Sequence, residues 1–391
     1  MKIKEASARI ILDSRKEETI EVSVNNCVAS APSGKSKGKH EAKSYIKNIK
    51  HDVDFVNKIK INKFPDFYYF GDLEKIEKIL KGKVGANTMF AFEVAVLRAL
   101  AQEKKKELWQ VLNHKLILKK AKFPRIISNT IGGGAHSNSK IKPDFQEFLV
   151  TCNKNPALSF EVNKKAHEEA RAILKNLSMN ITSNDENAWT SDLDNEKMLE
   201  VMKDMQEDIR DESITHLDIG IDVAASQFYN IKNKKYEYKN RIKSISREEQ
   251  INYIAQLASK FNLFYIEDPL YEEDFSGFAE LVDKCKCLIV GDDLTTTNFS
   301  RVKKAIEMNA ITGLIIKPNQ TGSLIEVRKI FELCERKNIK TIVSHRSGET
   351  IDDSISDIAF AFQADFIKTP VVGEERVAKV RRLMKFEGSS R

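Results

Sequence analysis

Residues 263–298 read "LFYIEDPLYEEDFSGFAELVDKCKCLIVGDDLTTTN". Two short apolar runs, "LFYIEDPL" and "CLIVGDDL", each stop on carboxylates, with a helical segment between them. Strand, helix and strand in that order imply a parallel βαβ unit. The unit recurs outward from here. "HLDIGIDVAAS" precedes it, and "GLIIKPNQ", "TIVSHRS" and "DFIKTP" follow. Six such runs in succession favour a closed β/α barrel over an open sheet.

The first third of the chain reads differently. "ARIILDSR" and "TIEVSV" alternate as strands of a hairpin or meander. Residues 85–112 read as one long helix with Asn87 as its N-cap, in which Ala91, Ala95 and Ala99 permit close approach of a neighbour. A basic, broken stretch then ends at Phe123-Pro124. The chain therefore divides into an N-terminal α+β domain, 1–122, and a C-terminal β/α barrel, 123–391, α/β overall.

The 391 residues carry 41% hydrophobic and 31% charged side chains, enough to bury a substantial core. A net charge of +7 is compatible with anionic substrates and specifies no nucleic acid. The basic runs "EKKKE" and "KNKK" lack interleaved aromatics and read as solvated faces. Five scattered cysteines make no disulfide framework, and Cys285-x-Cys287 has no second pair to complete a zinc site. Alternation in "KCKCLIV" puts both thiols on one strand face as small hydrophobes. There is no apolar leader and no run of membrane-spanning length, so the expectation is a reduced, cytoplasmic protein that meets no membrane.

The ends of the apolar runs carry the chemistry. They are Asp222, Glu267, Asp292 with Asp293, Lys317, His345 with Arg346, and Lys368, separated by 45, 25, 25, 28 and 23 residues. In a β/α barrel the C-terminal strand ends ring the active site, so these residues face a common centre. Three successive carboxylates supply hard oxygen ligands suited to Mg²⁺, and without a cation they could not all ionise. A lysine near that cation and near a second lysine is pushed towards its neutral form, where it serves as a general base. "SHRSGET" (344–350) adds imidazole, guanidinium and hydroxyl groups that match phosphate oxygens. Base, cation and phosphate clamp together point to proton abstraction α to a carboxylate.

These motifs resemble the enolase family, particularly its archaeal-type members, over nearly the whole chain. The resemblance is carried by "DSRKEETIEVSV", "VGANTMFAFEVAVLRALA", "QEFLV", "DVAASQFY", "YIEDPLYEEDFSGF", "GDDLTTTN", "IKPNQTGSLIE", "SHRSGET" and "IKTPVVGEERVAK", in order. It implies a phosphopyruvate hydratase, a Mg²⁺-dependent carbon–oxygen lyase that reversibly dehydrates 2-phosphoglycerate to phosphoenolpyruvate in glycolysis and gluconeogenesis. It also implies a barrel with an irregular start and a homodimer or larger homo-oligomer. By the same resemblance Asp222, Glu267 and Asp292 would bind the principal Mg²⁺. Lys317 would remove the C2 proton, and Lys368 would pair with the substrate carboxylate. Arg346 and Ser347 would hold the phosphate with His345 beside them. Glu147 would position or help protonate the departing hydroxyl, and His136 would reach the site from its loop. Glu186 would be the general acid.

The sequence departs from the family in three places. "SNDENAW" (183–189) replaces the family's "GDEGG", which removes permissive glycines beside Glu186 and leaves Asp185 as an alternative acid. The loop between His136 and Glu147 is about two residues longer than usual, and Lys-Thr-Pro replaces Lys-Thr-Gly after the last catalytic strand. "APSGKSKGKHEAKS" (31–44) holds Gly-Lys-Ser, but a P-loop needs glycine where Ala29 stands. In the resemblance this stretch is a mobile lid whose Ser36 helps hold a second Mg²⁺ arriving with substrate. Lys35 and Lys37 stand where the family commonly has Ala and Thr, adding positive charge to that lid. Two other readings stay open: a different carboxylate dehydratase of the superfamily, or a degenerate member kept as an RNA- or protein-binding partner.

Overall fold

The computed structural model describes every residue except 36–37, 138–141, 178–179, 214–215, 241–242 and 391. Ser36 and Lys37 thus lie outside the described residues. Near the N-terminus β1 (Ala6–Leu12), β2 (Glu18–Val24) and β3 (Cys27–Ser30) form an antiparallel meander. The turns fall at Lys16 and at Asn25–Asn26, all with positive φ. One face of the meander, including Ile20, Val22 and Val24, is fully buried.

The long helix that packs on the meander is shorter than the sequence predicts. It runs Ala86–Glu103 from an extended Gly85 N-cap, and a separate turn follows at Leu108–Leu112. Lys105 adopts φ 52° between them, and Glu107 opens the second helix with a capping box to Gln110. Asn87 is not the cap. It sits inside the helix, buried, donating to the Pro32 carbonyl and accepting from Asn319. Ala91, Ala95 and Ala99 are all buried, which lets the helix lie close on the sheet.

The second part is a closed barrel. Its staves are β4 (Arg125–Gly132) and β5 (Glu147–Cys152), with the short hairpin β6 (Thr182–Ser183) and β7 (Trp189–Thr190) attached beside β4. β8 (Leu217–Asp222) comes next, followed by an accessory sheet of β9 (Tyr229–Asn230), β10 (Lys235–Tyr238) and β11 (Lys243–Ile245). Then come β12 (Tyr265–Glu267), β13 (Leu288–Gly291), β14 (Gly313–Ile316), β15 (Lys340–Ser344) and β16 (Phe366–Lys368). β16 pairs with β4 and shuts the ring. β4, β5 and β8 pair antiparallel, while β8 and β12 to β16 run parallel, so the barrel begins irregularly and continues as β/α units.

Ile127, Leu149, Tyr265, Val290, Ile315, Ile342 and Phe366 fill the barrel interior. This apolar plug lies below the strand ends and forms a low-dielectric floor beneath the polar groups above it. The N-terminal part reaches over the same end. Ser33 bridges to Gly348, the Pro32 carbonyl accepts from Asn319, and the Ala42 N–H donates to the Gln320 carbonyl. Among the described residues, no helix is long and apolar enough to cross a membrane.

Candidate active site

Strand register aligns the carboxylates. Glu147 on β5 lies opposite Asp222 on β8, and Asp222 lies opposite Glu267 on β12, so three acids form one row across three staves. Lys368, the last residue of β16, reaches into that row. Its ammonium lies 2.7 Å from Glu147 Oε2, 2.8 Å from Glu267 Oε2 and 3.1 Å from Asp222 Oδ2. All four side chains are at most 5% exposed. Burial works against the charge on Lys368, but the three carboxylates outweigh it and hold the ammonium well above the ordinary lysine range. Burial first, and Asp222 next, push Glu267 well above the usual carboxylate range. The Tyr265 hydroxyl donates to Glu267 Oε2 at 2.5 Å.

Lys317, the residue after β14, pairs its ammonium with Asp292 Oδ2. The sequence reading expects a lysine pushed towards neutrality by a cation and a second lysine. In the structure burial lowers its proton affinity, as does Lys368, but the Asp292 and Glu267 carboxylates raise it above the ordinary value. The reason is distance: Asp292 is in direct contact, and the net effect follows the nearest countercharge.

Behind Asp292 stands a residue that the sequence reading did not single out. Asp268 adopts a left-handed φ of 42°, which short polar side chains tolerate. Its carboxylate accepts the N–H groups of Asp292 at 3.0 Å and Asp293 at 2.6 Å, which orients the pair. Asp268, Asp292 and Asp293 bring ligand oxygens within 4.8 Å of one another. Burial and Asp292 push Asp293 up to about 7. Glu267 Oε1 and Asp292 Oδ1 are buried with no hydrogen-bond partner. Orphaned carboxylate oxygens on a dry barrel floor fit a hard divalent cation such as Mg²⁺.

Across the cavity His136 Nδ1 lies 3.5 Å from both Glu147 Oε1 and Glu186 Oε1. Burial opposes its charge, yet Glu186 and Glu147 raise it to about 9. Burial would raise Glu186, but His136 and Arg376 bring it below its ordinary value. The proton of this group therefore rests on His136. His345 faces Glu186 at 3.8 Å, and burial with Arg376 holds it well below the usual imidazole range, as a neutral ring.

The loop bearing Glu186 keeps its turn without glycine. Asn187 takes φ 63°, the left-handed region that asparagine enters more readily than other side chains. Asn184 Oδ1 accepts the N–H groups of Glu186 and Ala188, both at 2.9 Å, and the Asn187 carbonyl hydrogen-bonds His167 Nε2 at 2.8 Å. This corrects the expectation that the loop has lost its permissive dihedrals. Asp185 turns the other way, to Lys35 Nζ at 3.0 Å. The extra positive charge of Lys35 is thus engaged by a protein carboxylate.

Beyond β15, Arg346 is buried and presents its Nη2 to both Glu41 oxygens at 3.1 Å and its Nη1 to Asn319 at 3.4 Å. Ser347 Oγ accepts the Lys35 N–H at 2.7 Å. The backbone at residues 34–35 can lie this close because residue 34 is glycine: a Cβ there would meet Arg346 Nη2 at 1.9 Å. His136, Glu147, Glu186, Asp222, Asp292, Lys317, His345, Arg346, Ser347 and Lys368 all line one cavity. Glu267 lies behind Lys368, fully buried. Asn129, whose amide donates to Glu186 Oε2 at 3.3 Å, and Gln146, whose amide donates to Asp222 Oδ2 at 3.3 Å, escape the sequence reading with Glu41, Asp268, Asn319 and Arg376, since none ends an apolar run except Asp268, one residue beyond Glu267.

Two family models match, "Enolase, N-terminal domain" over residues 3–112 and "Enolase, C-terminal TIM barrel domain" over 120–390. The chain belongs to the enolase family. Curated enolases from archaea are similar along their full length. The enolase of Methanosphaera stadtmanae is 36% identical, covering 98% of this chain and 96% of its own. That of Picrophilus torridus is 36% identical with 98% of each covered, and that of Archaeoglobus fulgidus 33% with 99% and 97%. The six charged strand ends therefore sit on an enolase-family barrel.

Proposed function

We propose that this enolase-family chain performs its dehydration of 2-phosphoglycerate to phosphoenolpyruvate, and the reverse, with Lys317 as base on one side and the Glu147–His136–Glu186 group as proton source on the other. The observation that carries this reading is the two-sidedness of the cavity. A lysine just past β14, beside Asp292, and a histidine shared by two carboxylates, beside Glu147 on β5, lie at opposite ends of the row of acids. Lys317 takes the C2 proton, and Lys368 offers its ammonium to the substrate carboxylate. Glu147 and Glu186 orient the departing hydroxyl, and Glu186 passes on the proton that His136 holds. Its inward direction, against the outward direction of Asp185, supports Glu186 as the acid. Arg346 and Ser347 receive the phosphate, with the Arg346 guanidinium leaving Glu41 for it.

Asp222, Glu267 and Asp292 would hold one Mg²⁺, and we propose that a second enters with substrate near Ser36. Bound Mg²⁺ supplies positive charge that offsets the pull of Asp292 on the Lys317 proton and stabilises charge developing on the substrate carboxylate. The reading of a degenerate binding partner is not favoured, because the Glu186 loop retains its turn. We further propose a division into residues 1–122 and 123–391, a homodimer or larger homo-oligomer, and a cytoplasmic location.

The test is to follow the ultraviolet absorbance of the enol product from 2-phosphoglycerate and Mg²⁺. Lys317→Ala should abolish turnover while Mg²⁺ binding, read by calorimetry, persists. Full activity of that variant would sink the assignment of the base.

A further inference from the structure

Arg376 stands where three loops meet. It lies in the first turn of the helix Glu374–Ser390 and is only 1% exposed. That helix opens on the Gly373 carbonyl, which accepts the N–H groups of Arg376 at 3.1 Å and Val377 at 2.9 Å. Gly373 adopts φ 90°, and a Cβ there would meet Asn187 Nδ2 at 2.6 Å. The turn before the helix therefore lies directly against the loop that bears Glu186.

From this seat one nitrogen reaches the other two loops. Arg376 Nη2 donates to the Asp185 carbonyl at 3.2 Å and to the Ser347 carbonyl at 3.0 Å. Asp185 immediately precedes Glu186, and Ser347 immediately follows Arg346 in the loop after β15. A planar guanidinium fixes the directions of its N–H groups, so the two carbonyls are held at a set separation. The tie runs from main chain to main chain and is independent of the side chains at 185 and 347. Asn184 shapes the Glu186 loop from within, and His167 holds its Asn187 carbonyl. Arg376 joins that loop by hydrogen bonds to the loop after β15. Against the effect of burial, His136 and then Arg376 also hold the Glu186 carboxyl below its ordinary value.

We propose that Arg376 is a positioning residue for loss of the hydroxyl: it fixes the loop of Glu186 against the loop of Ser347, so that the acid meets a substrate gripped at its other end. The proposal rests on the reading of Glu186 as acid and Lys317 as base. Because those two steps belong to different residues, they can be read apart. In D₂O a C2 proton taken by Lys317 exchanges with solvent, and deuterium returns to 2-phosphoglycerate whenever the hydroxyl has not left. A displaced acid slows departure of the hydroxyl and leaves that exchange running.

The test compares the wild-type protein with Arg376→Met and Arg376→Lys, each given Mg²⁺ and 2-phosphoglycerate in D₂O. Ultraviolet absorbance follows the enol product, and mass spectrometry follows deuterium in the remaining substrate. A displacement of about 1 Å can cost up to about 100-fold, so dehydration by Arg376→Met should fall about tenfold or more, while deuterium entry stays within a few-fold of wild type. Arg376→Lys keeps the charge without the planar fork and should recover part of the loss. Where Arg376→Met does not fold, the same split in Arg376→Lys decides. Equal falls in the two steps, or a smaller fall in dehydration, would overturn the proposal. Failure of the underlying reading looks different: Glu186→Gln would dehydrate at the wild-type rate, or Lys317→Ala would still take up deuterium.

Discussion

Lys368→Ala tests the carboxylate row directly. One ammonium serves Glu147, Glu267 and Asp222 at 2.7, 2.8 and 3.1 Å, with every partner at most 5% exposed. Removing one partner of such a buried group leaves uncompensated charge and costs about 3–5 kcal/mol. For a chain of 391 residues, with an unfolding entropy of about 0.8 kcal/mol/K, the melting temperature should fall by roughly 4–6 °C. The sign with pH follows from the groups left behind. Burial already raises Asp222 and Glu267, and without the ammonium both rise further, while Glu147 loses the lysine that helps hold it below its ordinary value. A group whose folded pKa is raised loses stability as pH climbs through it. The deficit should therefore be larger at pH 8 than at pH 5.5, where protonation relieves the repulsion. Melting in a chelator at both pH values, then with Mg²⁺ added at pH 8, measures it, and Mg²⁺ should recover part of the loss. A deficit below about 1 kcal/mol at pH 8, or an equal one at both pH values, would refute the reasoning.

Other tests bear on neighbouring elements. Asn187→Gly should leave stability and turnover nearly unchanged, whereas Asn187→Ala should cost about 1–2 kcal/mol and lower kcat, because φ 63° disfavours a Cβ; denaturation and kinetics report both. Lys35→Ala should raise KM a few-fold. Because its ammonium is engaged by Asp185 at 3.0 Å on a partly exposed surface, a double-mutant cycle with Asp185→Asn should give a coupling of only about 0.2–1 kcal/mol. Glu93 is buried, and burial with the nearby Glu77 carboxylate holds it well above the usual range. A raised carboxyl contributes its stability below its unfolded pKa and loses it as pH rises, so Glu93→Gln should be the more stable form at pH 8 and should lose its advantage near pH 4.5; urea midpoints across that range check the sign.

The strand-end charges were legible because a barrel stave is short and a β/α unit has a nearly constant length. Glu267, Asp292 and Lys317 fall 25 residues apart. A linear period carries that information without any knowledge of contacts. Glu147 breaks the period, since β5 runs antiparallel between β4 and β8, and only its family motif marked it. The turn at Asn187 also escaped, because a missing glycine reads as lost freedom until the asparagine is seen in the left-handed region.

Residue types and spacing were enough to mark the charged ends of β8 and β12 to β16 as facing one rim. Tertiary structure alone decided their pairing. Lys368 lies among three acids, Lys317 rests on Asp292, Arg346 is held by Glu41, and the His136 proton is shared between two carboxylates. Electrostatic pairing in a dry interior depends on separations of a few ångströms, and those are set by register and side-chain direction across strands far apart in the chain.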